Sequence, residues 1–309
     1  MKKKSIGIIG FIIIVLVSIF ESYNVDLQAL YSYFTEEKNH NIEEVNEDIE
    51  VNKILNSSLK VQYIDVGQAD CVLIQNDNEN MLIDAGNNED GKKLVSYLSK
   101  IGITDFKYVV GTHPHEDHIG GLDNIIKSFN IEKVFLPDAY TTTATFEDVL
   151  IALEDKNMNF TVPKIGQTLS LGEARIEIIY TEADPEDLND ASIVLRVDYG
   201  NTSFLFTGDA TSTVEKKILD KNIEVDVYKV GHHGSSYSNS EEFLNKVNAQ
   251  VAVISAGKNN SYNHPHAEVV KRLENRNMKI YRTDKLGTIL ITSNGQNIEV
   301  KNYDTNTDG

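Results

Sequence analysis

The run Thr112-His113-Pro114-His115-Glu116-Asp117-His118 restricts what this chain can fold into more than any other stretch. Three histidines and an aspartate fall within six residues. Residues 106–110 read as a buried strand. Residues 119–129 space Ile119, Leu122, Ile125, Ile126 and Phe129 as a helix does. The cluster therefore sits on a turn between a strand end and a helix start, where open α/β sheets collect ligands. Neutral imidazoles and carboxylates are the ligands of catalytic zinc, which keeps one position open. His113 and His115 can share one metal, with Asp117 and His118 facing a second beside it. A surface loop that happens to hold histidines is the competing reading. Four ligand-type side chains in one turn weigh against it.

The pattern repeats along the chain. Strand-like runs alternate with helical ones, and each His-, Asp- or Gly-rich turn follows a strand: Asp84-Ala85-Gly86, Thr207-Gly208-Asp209, Gly231-His232-His233-Gly234-Ser235 and Asn263-His264-Pro265-His266. That interleaving predicts a layered α/β fold with one site along one edge. Of eight histidines, only His40 lies outside these turns. Cys71, the single cysteine, excludes an internal disulfide and reads as a small buried hydrophobe.

The His-x-His-x-Asp-His run resembles the signature of the metallo-β-lactamase superfamily. Asp65-Val66-Gly67-Gln68-Ala69-Asp70 resembles the opening of the metallo-β-lactamase-like domain of ComEC competence proteins and their stand-alone relatives, with Ala69 where that family has glycine. The resemblance spans about residues 61–300. It implies an αββα sandwich of two mixed sheets between helices. It implies Asp84 supporting the metal histidines, Asp209 bridging two metals, and His264 completing the second metal with Asp117, His118 and Asp209. His266, just past Pro265, reads instead as a first-turn residue of a helix.

One ligand is missing from the wider pattern. A further histidine is usual some twenty residues before the bridging aspartate; here that place holds Asn189-Asp190, and no histidine lies between His118 and His232. Asp190 and the His232-His233 pair are the candidates. An imidazole adds no charge, whereas Asp190 would add a negative one and make the bound water less acidic. Neighbours on an extended strand point to opposite sides, so His232 is expected as the ligand and His233 as the substrate-facing residue.

The resemblance and the ligand set imply a dinuclear metal-dependent hydrolase, a phosphodiesterase or nuclease-like enzyme using a metal-bound hydroxide, with two zinc or manganese ions. Asp117, His233 and Asp84 are the expected catalytic residues; Asp190, Ser235 and Lys258 are candidates to support the ligands or to touch substrate, with Ser235 and Lys258 equally readable as loop residues. The alternatives are a same-fold hydrolase of a cell-wall phosphocholine ester, a lactone or a β-lactam, or a non-catalytic metal-holding DNA-uptake accessory. The net charge of −18 argues against a basic DNA-binding surface, though not against phosphodiester chemistry at the metals.

Three lysines, Lys2 to Lys4, precede an apolar run over 6–20. Residues 1–21 read as a signal peptide or a membrane anchor, 22–58 as an acidic flexible stalk, and 59–309 as the catalytic domain. The lysines would stay inside and the rest be exported.

Overall fold

Alternation decides where the strands bury. Val72, Ile74, Met81 and Ile83 join one apolar cluster, while Cys71, Leu73 and Leu82 join another on the opposite face. Leu195, Val197, Phe204 and Val253 share the first cluster, and Val194, Leu205, Ala252 and Ile254 form a third. Strands that are apolar on both faces must be covered on both.

The structure, a computed structural model, describes residues 58–303. In chain order the strands are β1 (Leu59–Tyr63), β2 (Val72–Asn76), β3 (Glu79–Ile83), β4 (Asp105–Val110), β5 (Asn130–Phe135), β6 (Phe160–Thr161), β7 (Thr168–Leu171), β8 (Ala174–Tyr180), β9 (Val194–Tyr199), β10 (Thr202–Phe206), β11 (Val227–Lys229), β12 (Val251–Ile254), β13 (Lys279–Arg282), β14 (Thr288–Ser293) and β15 (Ile298–Tyr303). One sheet runs β15-β14-β1-β2-β3-β4-β5-β6, the other β13-β12-β11-β10-β9-β8-β7. Both are mixed: β3 to β6 and β10 to β13 pair in parallel, the rest antiparallel. The first cluster fills the space between the sheets. Helices Gly91–Lys100, Leu122–Ser128 and Ala144–Asp155 cover one outer face; Ser212–Lys217, Glu241–Val247 and Ala267–Glu274 cover the other. This is the expected αββα sandwich.

Parallel pairing sets the site. The chain leaves β3, β4, β10, β11 and β12 into the turns that carry Asp84, His113 to His118, Asp209, His232-His233 and His264. All five turns lie at carboxyl ends of strands, where doubly wound sheets bind ligands.

One element departs from expectation. The helix predicted over 119–129 is two helices, Glu116–Ile119 and Leu122–Ser128, broken at Gly120-Gly121. The cause is a close approach: a Cβ on Gly120 would lie 2.2 Å from the Asn88 backbone nitrogen. The 85–88 loop packs straight onto the break, and Ala85 N donates to His118 O at 2.7 Å. Asp117 and His118 therefore project from a short helix of their own. Ala69 is fully buried and is not among the residues with positive φ, so alanine is tolerated there. Cys71 is buried and free. The expected N-terminal segment and, apart from Ser58, the acidic stretch lie outside the described residues. Among the described residues no helix is long and apolar enough to cross a membrane.

Candidate metal centre

Three imidazoles are held in the same way. His118 Nδ1 lies 2.8 Å from Asp84 Oδ2. Asp84 also accepts from Thr112 N at 2.7 Å and Thr112 Oγ1 at 2.8 Å, which locks the turn after β4. Because Thr112 Oγ1 gives its hydrogen to Asp84, it accepts from His113 Nδ1, 3.1 Å away. His233 Nδ1 donates to Ser255 O at 3.1 Å. In each ring the protein occupies Nδ1 and leaves the Nε2 lone pair for the cavity. That is the usual support of a metal-binding histidine.

The Nε2 atoms converge on carboxylates. Asp117, His118, Asp209 and His233 offer ligand atoms all within 4.8 Å of one another. His118 Nε2 is 3.3 Å from Asp209 Oδ1, and His233 Nε2 is 3.2 Å from Asp117 Oδ2. The other Asp209 oxygen, Oδ2, lies 3.6 Å from Nε2 of both His232 and His233. Beside this group His113 Nε2 faces His115 Nδ1 at 3.1 Å. Two nitrogens on one tetrahedral zinc stand about 3.3 Å apart, so these separations suit shared cations. His118 Nε2 and Asp209 Oδ1 are also buried without a hydrogen-bond partner, which a cation between them would resolve.

Gly208 makes the Asp209 turn possible. Its φ is +51°, and a Cβ there would meet Ser192 Oγ at 2.9 Å. Ser192 Oγ accepts from Asp209 N at 3.1 Å and lies 3.4 Å from His113 Nδ1.

Electrostatics points the same way. Burial opposes charge on His118, but the carboxylates of Asp209, Asp84 and Asp117 outweigh it and raise its pKa well above the usual histidine value. Burial likewise opposes charge on His233, yet Asp209 and Asp70 push its pKa up to about 10. Burial would raise the pKa of Asp209, but His118 and His233 hold it well below the carboxylate range. Asp70 and Asp84 lie on one side of His118 and Asp117 and Asp209 on the other, while the buried Lys229 reaches Asp70, its Nζ 2.5 Å from Asp70 Oδ2. Divalent cations would supply the missing positive charge and displace the imidazolium protons.

Several expected residues stand elsewhere. His232 and His233 do not alternate as on an extended strand. Both adopt left-handed backbone angles, φ +51° and +52°, in the Gly231–Gly234 turn, and so both reach Asp209. It is His233 that joins the four-residue group. His264 was expected there; it lies outside that group but lines the same cavity, its ring centroid 5.8 Å from that of His232 and 6.2 Å from that of His233. Gln68 Oε1 accepts from Gly257 N, so Gln68 Nε2 is the donor to His264 Nδ1 at 3.3 Å. Burial, then the neighbouring His233 and His266, lower the pKa of His264 to about 4. Asp190 Oδ1 accepts from Thr211 N and Oγ1, at 3.1 and 2.6 Å, and so anchors the next helix. Ser235 is buried, with Oγ accepting from Tyr237 N; Lys258 is exposed; neither lines the cavity. His266 precedes helix Ala267–Glu274 as its N-cap residue.

The cavity over the centre is about 830 Å³. Its walls include Asn87, Asn88 and Tyr262, which sequence reasoning did not single out, and Gln68 and Asn189, to which it gave no role. Nor did it assign a role to Asp70, whose Oδ1 lies 3.4 Å from His233 Nδ1 and whose backbone N donates to Asp117 O at 3.0 Å. The only signal was its place in the motif at 65–70.

Comparison with known proteins agrees with this geometry. A sequence model described as the Metallo-beta-lactamase superfamily matches residues 64–258. ComE operon protein 3 of Bacillus subtilis is 32% identical over 256 residues, covering 76% of this chain and 33% of that protein. Competence protein ComA of Neisseria gonorrhoeae is 29% identical, covering 73% of this chain and 31% of its own length. The chain thus spans about a third of the curated relatives it matches. Among solved structures, the metallo-beta-lactamase fold protein YhfI from Bacillus subtilis superposes with a TM-score of 0.54 at 13% identity, over 76% of this chain and all of that one, which shows a shared fold. The chain belongs to the metallo-β-lactamase superfamily, generally metal-dependent hydrolases, and its relatives within it are ComEC-type competence proteins.

Proposed function

We propose that this domain is a dinuclear metal-dependent phosphodiesterase or nuclease-like enzyme that works outside the cytoplasm. One observation carries the dinuclear reading: beside the group of Asp117, His118, Asp209 and His233, the nitrogens His113 Nε2 and His115 Nδ1 face each other at 3.1 Å. Each set suits a cation of its own, and a carboxylate such as Asp209 has an oxygen to offer to each. Bound there, two divalent cations supply a nucleophile near neutral pH and offset charge developing on phosphorus.

The protein's own groups do the rest. Asp84, Thr112 and Ser255 hold the Nδ1 protons of His118, His113 and His233 and so fix which nitrogen faces the cavity. Gln68, Asn87 and Asn88 line the cavity beside His264; their NH₂ groups bond to His264, Asp90 and Thr145, and each keeps a second N–H. Such donors suit phosphate oxygens and a departing alkoxide. The likeness to competence proteins favours DNA as the phosphodiester. With a net charge of −18, recognition would rest on the metals rather than on long-range attraction.

The test is a full-length protein reconstituted with zinc or with manganese. Elemental analysis should find about two ions per chain, as two-metal hydrolases hold. One ion or none on folded protein sinks the dinuclear reading. Turnover should appear with a bis-aryl phosphodiester and with single-stranded DNA. Activity confined to a phosphocholine ester, a lactone or a β-lactam overturns the phosphodiester assignment. Normal DNA binding by metal-free protein, with no turnover on any substrate, would favour the accessory role. Export rests on Lys2 to Lys4 before the apolar run at 6–20. Protease added to intact protoplasts should therefore digest the domain; full protection, with lysed controls degraded, refutes this.

A further inference from the structure

We infer that Asn189 supplies the ligand that the sequence pattern lacks: its side-chain Oδ1 completes the metal position formed by His113, His115 and Asp209. This rests on the two-metal reading above and says how its first position is closed. His113 and His115 contribute facing nitrogens, and catalytic zinc takes three protein ligands from its own side of a site. Asp190 is committed to Thr211, His233 to the group with Asp117 and His118, and the His232 ring has a buried Nδ1 with no partner to aim it as a ligand. The neighbouring residue, Asn189, lines the same cavity as His115 and Asp209.

Its Oδ1 is buried and finds no hydrogen-bond partner. An acceptor stripped of water and given no donor costs about 1–3 kcal/mol, so native structures seldom hold one idle. The turn that carries it is tightly placed. Leu188–Ala191 forms a single 3-10 turn, with Ser192 N donating to Asn189 O at 3.1 Å. The next residues tie that turn to the metal turn: Ser192 Oγ lies 3.4 Å from His113 Nδ1, and Ile193 N donates to Thr112 O at 2.9 Å. The Asn189 turn is thereby tied to the turn that carries His113 and His115. A carboxamide oxygen is a competent ligand for divalent cations. It also adds no charge to a centre that already holds Asp117 and Asp209. Asp190 would have added one.

The experiment uses full-length protein, zinc alone and manganese alone, with binding read by equilibrium dialysis and elemental analysis. Wild type should hold two ions. Asn189→Ala should lose one of them or bind it roughly 10–100-fold more weakly, while the other stays. The metal-free variant should melt no lower than wild type, because Oδ1 gives up no hydrogen bond. Its rise in Tm on adding metal should be smaller, since that rise follows ligand affinity. Asn189→Leu fills similar volume without an oxygen and should read the same way if the alanine variant is too unstable to assay. Two ions held at wild-type affinity by either variant overturn the inference. So does a loss of metal matched by a lower melting point of the metal-free protein in both variants, which would mark a structural role. A wild type holding fewer than two ions fails differently, since it removes the dinuclear reading itself.

Discussion

Asp209→Asn is expected to lower turnover by about a thousandfold, at the upper end of what losing one preorganised charge-stabilising group costs. It should also weaken metal at both positions. The substitution keeps size and shape. The turn that presents the residue is held by backbone: Asp209 N donates to Ser192 Oγ, and His232 N donates to Gly208 O at 3.0 Å. Both contacts survive in the variant, so the fold should persist. What changes is one negative charge and one lone-pair oxygen. Oδ1 faces His118 Nε2 at 3.3 Å, and Oδ2 faces His232 and His233 Nε2 at 3.6 Å. Whichever way the amide turns, its NH₂ points at a place meant for a cation. Metal content, far-UV circular dichroism and turnover measured together decide the matter. A folded variant with near-normal turnover shows that Asp209 is not shared between two metals.

What could be read from the sequence was what periodicity and local chemistry determine. Strand-like runs were visible because a strand buried on both faces, as β2 and β10 are, must be apolar at nearly every position. The ligand-bearing turns were visible because they punctuate those strands. Backbone angles inside the turns were not. Nothing in Gly231-His232-His233-Gly234 says that two consecutive histidines take left-handed angles, and an argument from strand alternation fails there. The break at Gly120-Gly121 depends on a loop thirty residues earlier packing against it, which is a tertiary fact.

Long-range hydrogen bonds were equally hidden. Asp190 looks like a ligand in one dimension, but Thr211 takes its carboxylate. Gln68 sits in a recognised motif, yet its partners Gly257 and His264 lie nearly two hundred residues on. Lys229 reads as the last residue of a strand. In the fold it is a buried cation beside Asp70, balancing charge that local sequence does not reveal.

The paired histidines should separate cleanly when each is replaced by alanine, and in the order opposite to the one strand alternation suggests. His233→Ala is expected to lose metal from the group with Asp117, His118 and Asp209, and with it about a thousandfold in turnover. His232→Ala should keep both ions and lose turnover by about 10–100-fold, the range of a group that assists proton transfer or binding. The reason lies at the far nitrogen of each ring. His233 Nδ1 donates to Ser255 O at 3.1 Å, with Asp70 Oδ1 at 3.4 Å, so its Nε2 is aimed and its tautomer fixed. His232 Nδ1 is buried with no hydrogen-bond partner, so nothing orients that ring as a ligand is normally oriented. Its side chain is also more open, 18% exposed against 2% for His233, on the wall of the cavity. Removing His233 further strips a partner from Asp70 and Asp117, so the metal-free variant should lose stability, on the order of 3 kcal/mol for breaking a buried charged pair. Removing His232 should cost little. Elemental analysis, denaturant unfolding of the metal-free proteins and steady-state kinetics read the three effects independently. Metal loss in His232→Ala with full metal in His233→Ala would exchange the two roles, and unchanged metal in both would remove the pair from the ligand set.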